Sequence, residues 1–158
     1  MLLGLGSNRW HGRHGRPEAV LAAAARALAA GGVEVLAVAP VIATAPLGPS
    51  DRRFANGAVL GRWRGGAGAL LALAKGIERD FGRRRGRRWG ARVLDIDLLA
   101  FGGLALREGA LEVPHPRLHQ RAFVLRPMLA LWPEWRHPRL GLRVRHMAAR
   151  LARRHPVD

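Results

Sequence analysis

Apolar and polar positions alternate along this chain in two distinct periods, and the switches between them outline the elements. Pro17 opens EAVLAAAARALAA, which closes at Gly31-Gly32, the proline-first, glycine-last signature of a helix over 17–30. A second helix is predicted over 68–81, where Leu70, Leu71, Leu73, Ala74 and Ile77 form an apolar stripe that Gly82 ends. A third is predicted over 121–131, stopping before Pro133, and a last, basic one from about 142 to 154. Residues 33–44 and 56–63 are short, apolar and rich in β-branched residues or Ala, and both predict strands. VLDIDLLAF, within 93–101, predicts a central strand, and Gly102-Gly103 predicts a short hairpin with 104–106. The turn formers of LGPSDRRF make 47–54 a connecting loop. RRRGRRWGAR, 83–92, is too charged and glycine-interrupted to pack as an element, and predicts a functional loop or lid. Helices and strands interleave, so the pattern alone implies a sheet covered by helices.

Composition sharpens this picture only in part. A chain of 158 residues with 49% hydrophobic content suits one domain, 1–158, with one core. No run approaches the ~20 apolar residues of a membrane helix and no signal-like start is present, so the expectation is a cytoplasmic protein without a membrane partner, by default a monomer. With no cysteine, any metal must use oxygen or imidazole ligands. The formal charge of +16 would favour polyanions, but of the 27 Lys and Arg residues only Lys75 is a lysine, and Ala and Gly abound. GC-rich coding produces that bias with no functional demand. The charge therefore suits a nucleotide triphosphate without selecting it over nucleic acid.

Asp95 and Asp97 carry the strongest chemical signal. Alternate residues of a strand project from one face, so the two carboxylates stand side by side and repel unless cations compensate. Mg²⁺, which takes one or two carboxylates and completes its shell with water and phosphate, is one such cation, and neighbouring Arg is the other reading. Arg83, Arg84, Arg85, Arg87, Arg88 and Arg92, with His115 and Arg121, could match phosphate oxygens or form a solvated basic surface. Trp89 in that loop favours a surface to cover. Thr44, Ala45, Leu47, Phe54, Asn56 and Phe123 form another constellation: an amide with donor and acceptor plus aromatic faces suits a flat heterocycle, or equally a core with a turn Asn. Gly4 to Asn8 has neither phosphate-loop nor dinucleotide spacing.

Taken together, GLGSN at 4–8, TAPLGPSDRRFANGAV at 44–59, IERDFGR at 77–83, RWGARVLDIDLLAFG at 88–102 and VPHPRLHQRAFVLRPM at 113–128 resemble the 6-hydroxymethyl-7,8-dihydropterin pyrophosphokinases over nearly the whole chain. The resemblance implies an α+β, ferredoxin-like sandwich with a mostly antiparallel sheet and helices on its faces. It implies an ordered transfer of the diphosphate of ATP, the co-substrate that binds first with Mg²⁺, to a reduced pterin that follows, with AMP released, in folate biosynthesis. Asp95 and Asp97 would hold two Mg²⁺ ions. Arg83 and Arg92 would join them in catalysis. Arg85, Trp89, Arg92, His115 and Arg121 would hold the nucleotide, and Thr44, Ala45, Leu47, Phe54, Asn56 and Phe123 the pterin, with loops 48–53 and 83–92 closing over both. No specific nucleic acid is implied, although an arginine-rich RNA-binding module is the rival class. Phe54 stands where the family commonly has Tyr, Ala45 where it has Pro, and Ala91 interrupts the usual Gly-Pro-Arg. Starting almost at GLGSN, the chain is expected to have a short first strand.

Overall fold

The computed structural model describes residues 1–44, 53–82 and 93–154. Its main sheet contains β1 (Leu2–Ser7), β2 (Glu34–Val38), β3 (Ile42–Thr44), β4 (Phe54–Arg62) and β5 (Asp95–Ala100). The order is β2-β4-β1-β5, with β3 also paired to β4, and every pairing is antiparallel. A separate hairpin joins β6 (Leu106–Glu108) to β7 (Leu111–Val113). The helices are α1 (Pro17–Ala30), α2 (Ala67–Asp80), α3 (Ala122–Leu131) and α4 (Val144–Arg154). This is an α+β sandwich, as the resemblance implies.

Strand alternation divides the core in two. Leu3, Leu5, Val59, Ile96 and Leu98 point to one face, where Val20, Leu21 and Leu28 of α1 and Leu70, Ala74 and Ile77 of α2 bury them. Leu2, Ala58, Leu99 and Ala100 pack on the other face against Val124, Leu125 and Met128 of α3 and Val144 and Met147 of α4. A register shift between Leu2 and Leu3, opposite Leu98 and Ala100, lets the consecutive residues Leu99 and Ala100 both reach the second face.

Four sequence expectations change. Residues 33–44 form two strands, because Pro40 has no N–H to give the ladder and interrupts the pairing between β2 and β3. β5 is not central: among the described residues its only partner in that sheet is β1, which holds the centre between β4 and β5. Gly102 does turn the chain after β5, with φ +55° and the Leu104 N–H bonded to Phe101 O, but β6 pairs with β7 instead of returning along β5. Its two-residue turn places Gly109 at φ +54°, a conformation glycine adopts freely. β1 is not short, spanning six residues as β5 does, and the Met1 ammonium donates to Gly61 O at 2.8 Å.

Between α3 and α4 the chain is pinned by buried Trp135, whose indole N–H donates to Gly102 O at 2.7 Å, and by buried His137. The Nδ1 of His137 accepts the N–H groups of Arg139 (3.2 Å) and Leu140 (3.3 Å). Burial above all, then His119 and Arg139, lowers its pKa below 6.5. Its contribution to stability is therefore complete above about pH 6.5 and is lost as pH falls through the lowered folded value. Thermal unfolding should show a melting temperature that declines from pH 7 to pH 5, and a shallower decline in His137→Asn, which keeps an acceptor and cannot titrate. Equal slopes would exclude His137 as the titrating group.

Candidate active site

The antiparallel register around β1 builds the site. Asn56, Gly6 and Asp95 form one cross-strand row, and Ala58, Gly4 and Asp97 form the next. Leu5 and Ile96 between these rows point to the α1 and α2 face, so Asn56, Asp95 and Asp97 share the opposite face, towards α3. Two of the three residues of β1 on this face are glycines; the Leu99 side chain covers Gly4, reaching 3.1 Å from where a Gly4 Cβ would stand, so the trough between the amide and the carboxylates lies over Gly6. A Cβ added at Gly6 would meet Asn56 Oδ1 at 3.7 Å and Asp95 Cβ at 4.0 Å, so anything larger than a methyl group would fill it.

At the amide end, Phe54 and Asn56 lie on the same face of β4, and the Asn56 Nδ2 donates to Thr44 Oγ1 at 2.8 Å. Asn56 is buried, and this bond fixes its amide so that Oδ1 is turned towards the Gly6 row. The three residues expected to hold a heterocycle on β3 and β4 are thus gathered at one place.

At the carboxylate end, Asp95 and Asp97 are half-buried. His115 is tied to β5 by its N–H to Leu99 O at 3.0 Å, and its Nδ1 accepts the Arg117 N–H at 3.2 Å. Burial lowers the His115 pKa, Arg121 and Arg117 lower it further, and Asp97 opposes them. A neutral ring with Nδ1 accepting carries its proton on Nε2, a donor for an anionic oxygen. Arg121 caps the start of α3. Burial lowers its pKa, as does Arg117, while Asp97 and Asp95 raise it, which places the guanidinium in the field of both carboxylates. Its Cζ lies 5.6 Å from the centre of the Phe123 ring. Arg121 therefore links the acidic end of the trough to an aromatic face.

The structure brings together Thr44, Phe54 and Asn56, and separately Asp95, Asp97, His115, Arg121 and Phe123, with Gly6 between the two groups. Ala45, Leu47, Arg83, Arg85, Trp89 and Arg92 lie outside the described residues. Sequence reasoning missed Lys75 and Glu78. Glu78 falls at i+4 from Ala74 and i+8 from Leu70 on the apolar stripe of α2, and a carboxylate in such a stripe is a readable signal of a buried polar role.

The donors suit a hard divalent cation. Among the described residues no three His, Cys, Asp or Glu side chains gather into a metal-holding group. Two carboxylates beside the space over Gly6 leave most of an octahedral shell to water and phosphate, the arrangement Mg²⁺ favours.

A family model described as 7,8-dihydro-6-hydroxymethylpterin-pyrophosphokinase (HPPK) matches residues 2–133. The chain belongs to this family. The HPPK match contains every residue of the trough and ends before α4. Among relatives, the chain is 40% identical over 134 residues to the 2-amino-4-hydroxy-6-hydroxymethyldihydropteridine pyrophosphokinase of Methylorubrum extorquens, covering 84% of this chain and 82% of that one. It is 38% identical over 132 residues to the mitochondrial folate synthesis bifunctional protein of Arabidopsis thaliana, covering 83% of this chain but 23% of the relative. A solved HPPK-DHPS structure in complex with substrates superposes with a TM-score of 0.76 at 12% identity, over 97% of this chain and 43% of that one, a likeness of fold. The chain thus spans less than a quarter of the plant relative and under half of the solved chain.

Proposed function

We propose that this chain transfers the diphosphate of ATP to the hydroxymethyl oxygen of 6-hydroxymethyl-7,8-dihydropterin, releasing AMP, as a step of folate biosynthesis. The observation that carries the reading is the row Asn56, Gly6, Asp95, with Asp97 one row on: an oriented amide and a carboxylate pair on either side of the trough over Gly6. The names of the HPPK relatives point to the same substrate.

On this reading Asp95 and Asp97 hold Mg²⁺, two ions in all, which when bound neutralise charge on the phosphates and on the attacking and leaving oxygens. Asn56, oriented by Thr44, accepts and donates along the pyrimidinone edge, while Phe54 and Phe123 cover its faces. Arg121 and His115 meet phosphate oxygens, one as a cation and the other as an Nε2 donor. Arg83 and Arg92 add positive charge at the transferred group, Arg85 and Trp89 complete the nucleotide site, and Ala45 and Leu47 complete the pterin site. The transfer needs in-line placement and charge compensation more than a general base. We also read the protein as one domain over 1–158, a cytoplasmic monomer with no specific nucleic acid and no membrane partner. Among the described residues no helix is long and apolar enough to cross a membrane.

Calorimetry tests the shared trough. Pterin should bind measurably only after a non-hydrolysable ATP analogue and Mg²⁺ are present. Equally tight pterin binding without nucleotide would contradict an ordered, shared site.

A further inference from the structure

Ile96 lies between the two aspartates, and its backbone is held from an unexpected direction. Its side chain is fully buried, while its N–H and C=O both face away from β1, where a further strand would lie. No strand occupies that edge among the described residues; helix α2 does. The Ile96 N–H donates to Glu78 Oε1 at 2.7 Å, and Lys75 Nζ donates to Ile96 O at 3.1 Å. Lys75 Nζ also donates to Glu78 Oε1 at 2.7 Å, closing a ring from the Ile96 amide through two side chains back to the Ile96 carbonyl. The Glu78 side chain is 1% exposed and that of Lys75 37%, so the pair joins a buried charge to the edge of the protein.

The residue types fit this task. A buried carboxylate is tolerated only when it receives strong donors, and the Ile96 N–H and the ammonium both donate to Oε1. Lys75 is the single lysine among the chain's 27 Lys and Arg residues. A tetrahedral ammonium can send separate protons from one atom to a carboxylate and to a carbonyl, whereas a planar guanidinium fork would align with the carboxylate alone. Side chains in a strand follow the backbone with a period of two, so clamping the peptide groups of Ile96 sets the direction of the carboxylates on either side.

We propose that Lys75 and Glu78 form a positioning pair that clamps Ile96 and thereby holds the Asp95 and Asp97 carboxylates at the separation a divalent cation requires. This rests on reading those aspartates as cation ligands. Lys75→Cys provides a clean test, because the chain has no other cysteine and alkylation with bromoethylamine restores an ammonium at nearly lysine length. Two quantities are followed by NMR on ¹⁵N-labelled full chain: hydrogen exchange of the Ile96 amide, and the Mn²⁺ concentration that half-broadens the Gly4 and Gly6 amides opposite the aspartates. Lys75→Cys should speed Ile96 exchange about tenfold, as loss of a charge-assisted hydrogen bond does. It should raise the Mn²⁺ requirement by about tenfold or more, as loss of an outer-shell partner does. Aminoethylation should return both towards wild type, and Lys75→Met should behave as the unmodified cysteine. Wild-type exchange and wild-type Mn²⁺ response in both variants would overturn the proposal, as would rescue of neither quantity by aminoethylation. Failure of the wild-type protein itself to show Mn²⁺ broadening at Gly4 and Gly6 would instead remove the reading of the aspartates on which the pair depends.

Discussion

Asp97→Ala should keep the fold and lose at least ~100-fold in turnover, equivalent to about 2.7 kcal/mol of transition-state stabilisation, within the several kcal/mol a metal site supplies. The fold should survive because the Asp97 side chain is half-buried and belongs to neither hydrophobic cluster. The chemistry should not, because Asp97 is also the carboxylate that chiefly offsets the burial of Arg121 and His115. Its removal takes the larger of the two carboxylate counter-charges from Arg121, as well as leaving the cation site one ligand short. Steady-state AMP formation measured beside the melting temperature separates the two effects. A folded variant with near-normal turnover would take Asp97 out of the mechanism, and a variant that unfolds at room temperature would make its role structural.

Asn56→Ala should act at the other end of the trough. The amide is buried and fixed by Thr44, so truncation removes the donor and acceptor presented to the pterin and leaves Thr44 Oγ1 without its 2.8 Å partner. Losing one or two such bonds weakens pterin binding by about 1–3 kcal/mol, or roughly fivefold to 150-fold. Nucleotide affinity should be unchanged, since Asn56 is separated from the carboxylates by Gly6. Calorimetry with each ligand distinguishes the outcomes. Equal weakening of both ligands would mean that Asn56 supports the sheet and not the heterocycle.

The helices were legible because each carries its own punctuation: Pro17 and Gly31 bound α1, and Gly82 follows α2. The paired carboxylates were legible because a period of two requires no knowledge of tertiary structure. The division of 33–44 at Pro40 was available from proline chemistry, but a run of Val, Ile and Ala reads as continuous when the partner strand is unknown. The edge position of β5 among the described residues was hidden for a different reason. Nine residues with seven apolar side chains suggest burial on both sides, and here α2 supplies the second side through Lys75 and Glu78, 21 and 18 residues before Ile96. The same holds for the Thr44 to Asn56 bond, which depends on the register of β3 against β4. Pairings that cross elements follow from topology, and topology became visible only when β1 was placed between β4 and β5.

The central claim is tested most directly by identifying the nucleotide product when the purified full chain is given MgATP and 6-hydroxymethyl-7,8-dihydropterin. Diphosphate transfer predicts AMP in one-to-one ratio with pterin diphosphate, none without pterin, and none from Asp95→Ala. ADP in place of AMP, or no nucleotide cleavage from a folded protein that binds both substrates, would contradict it.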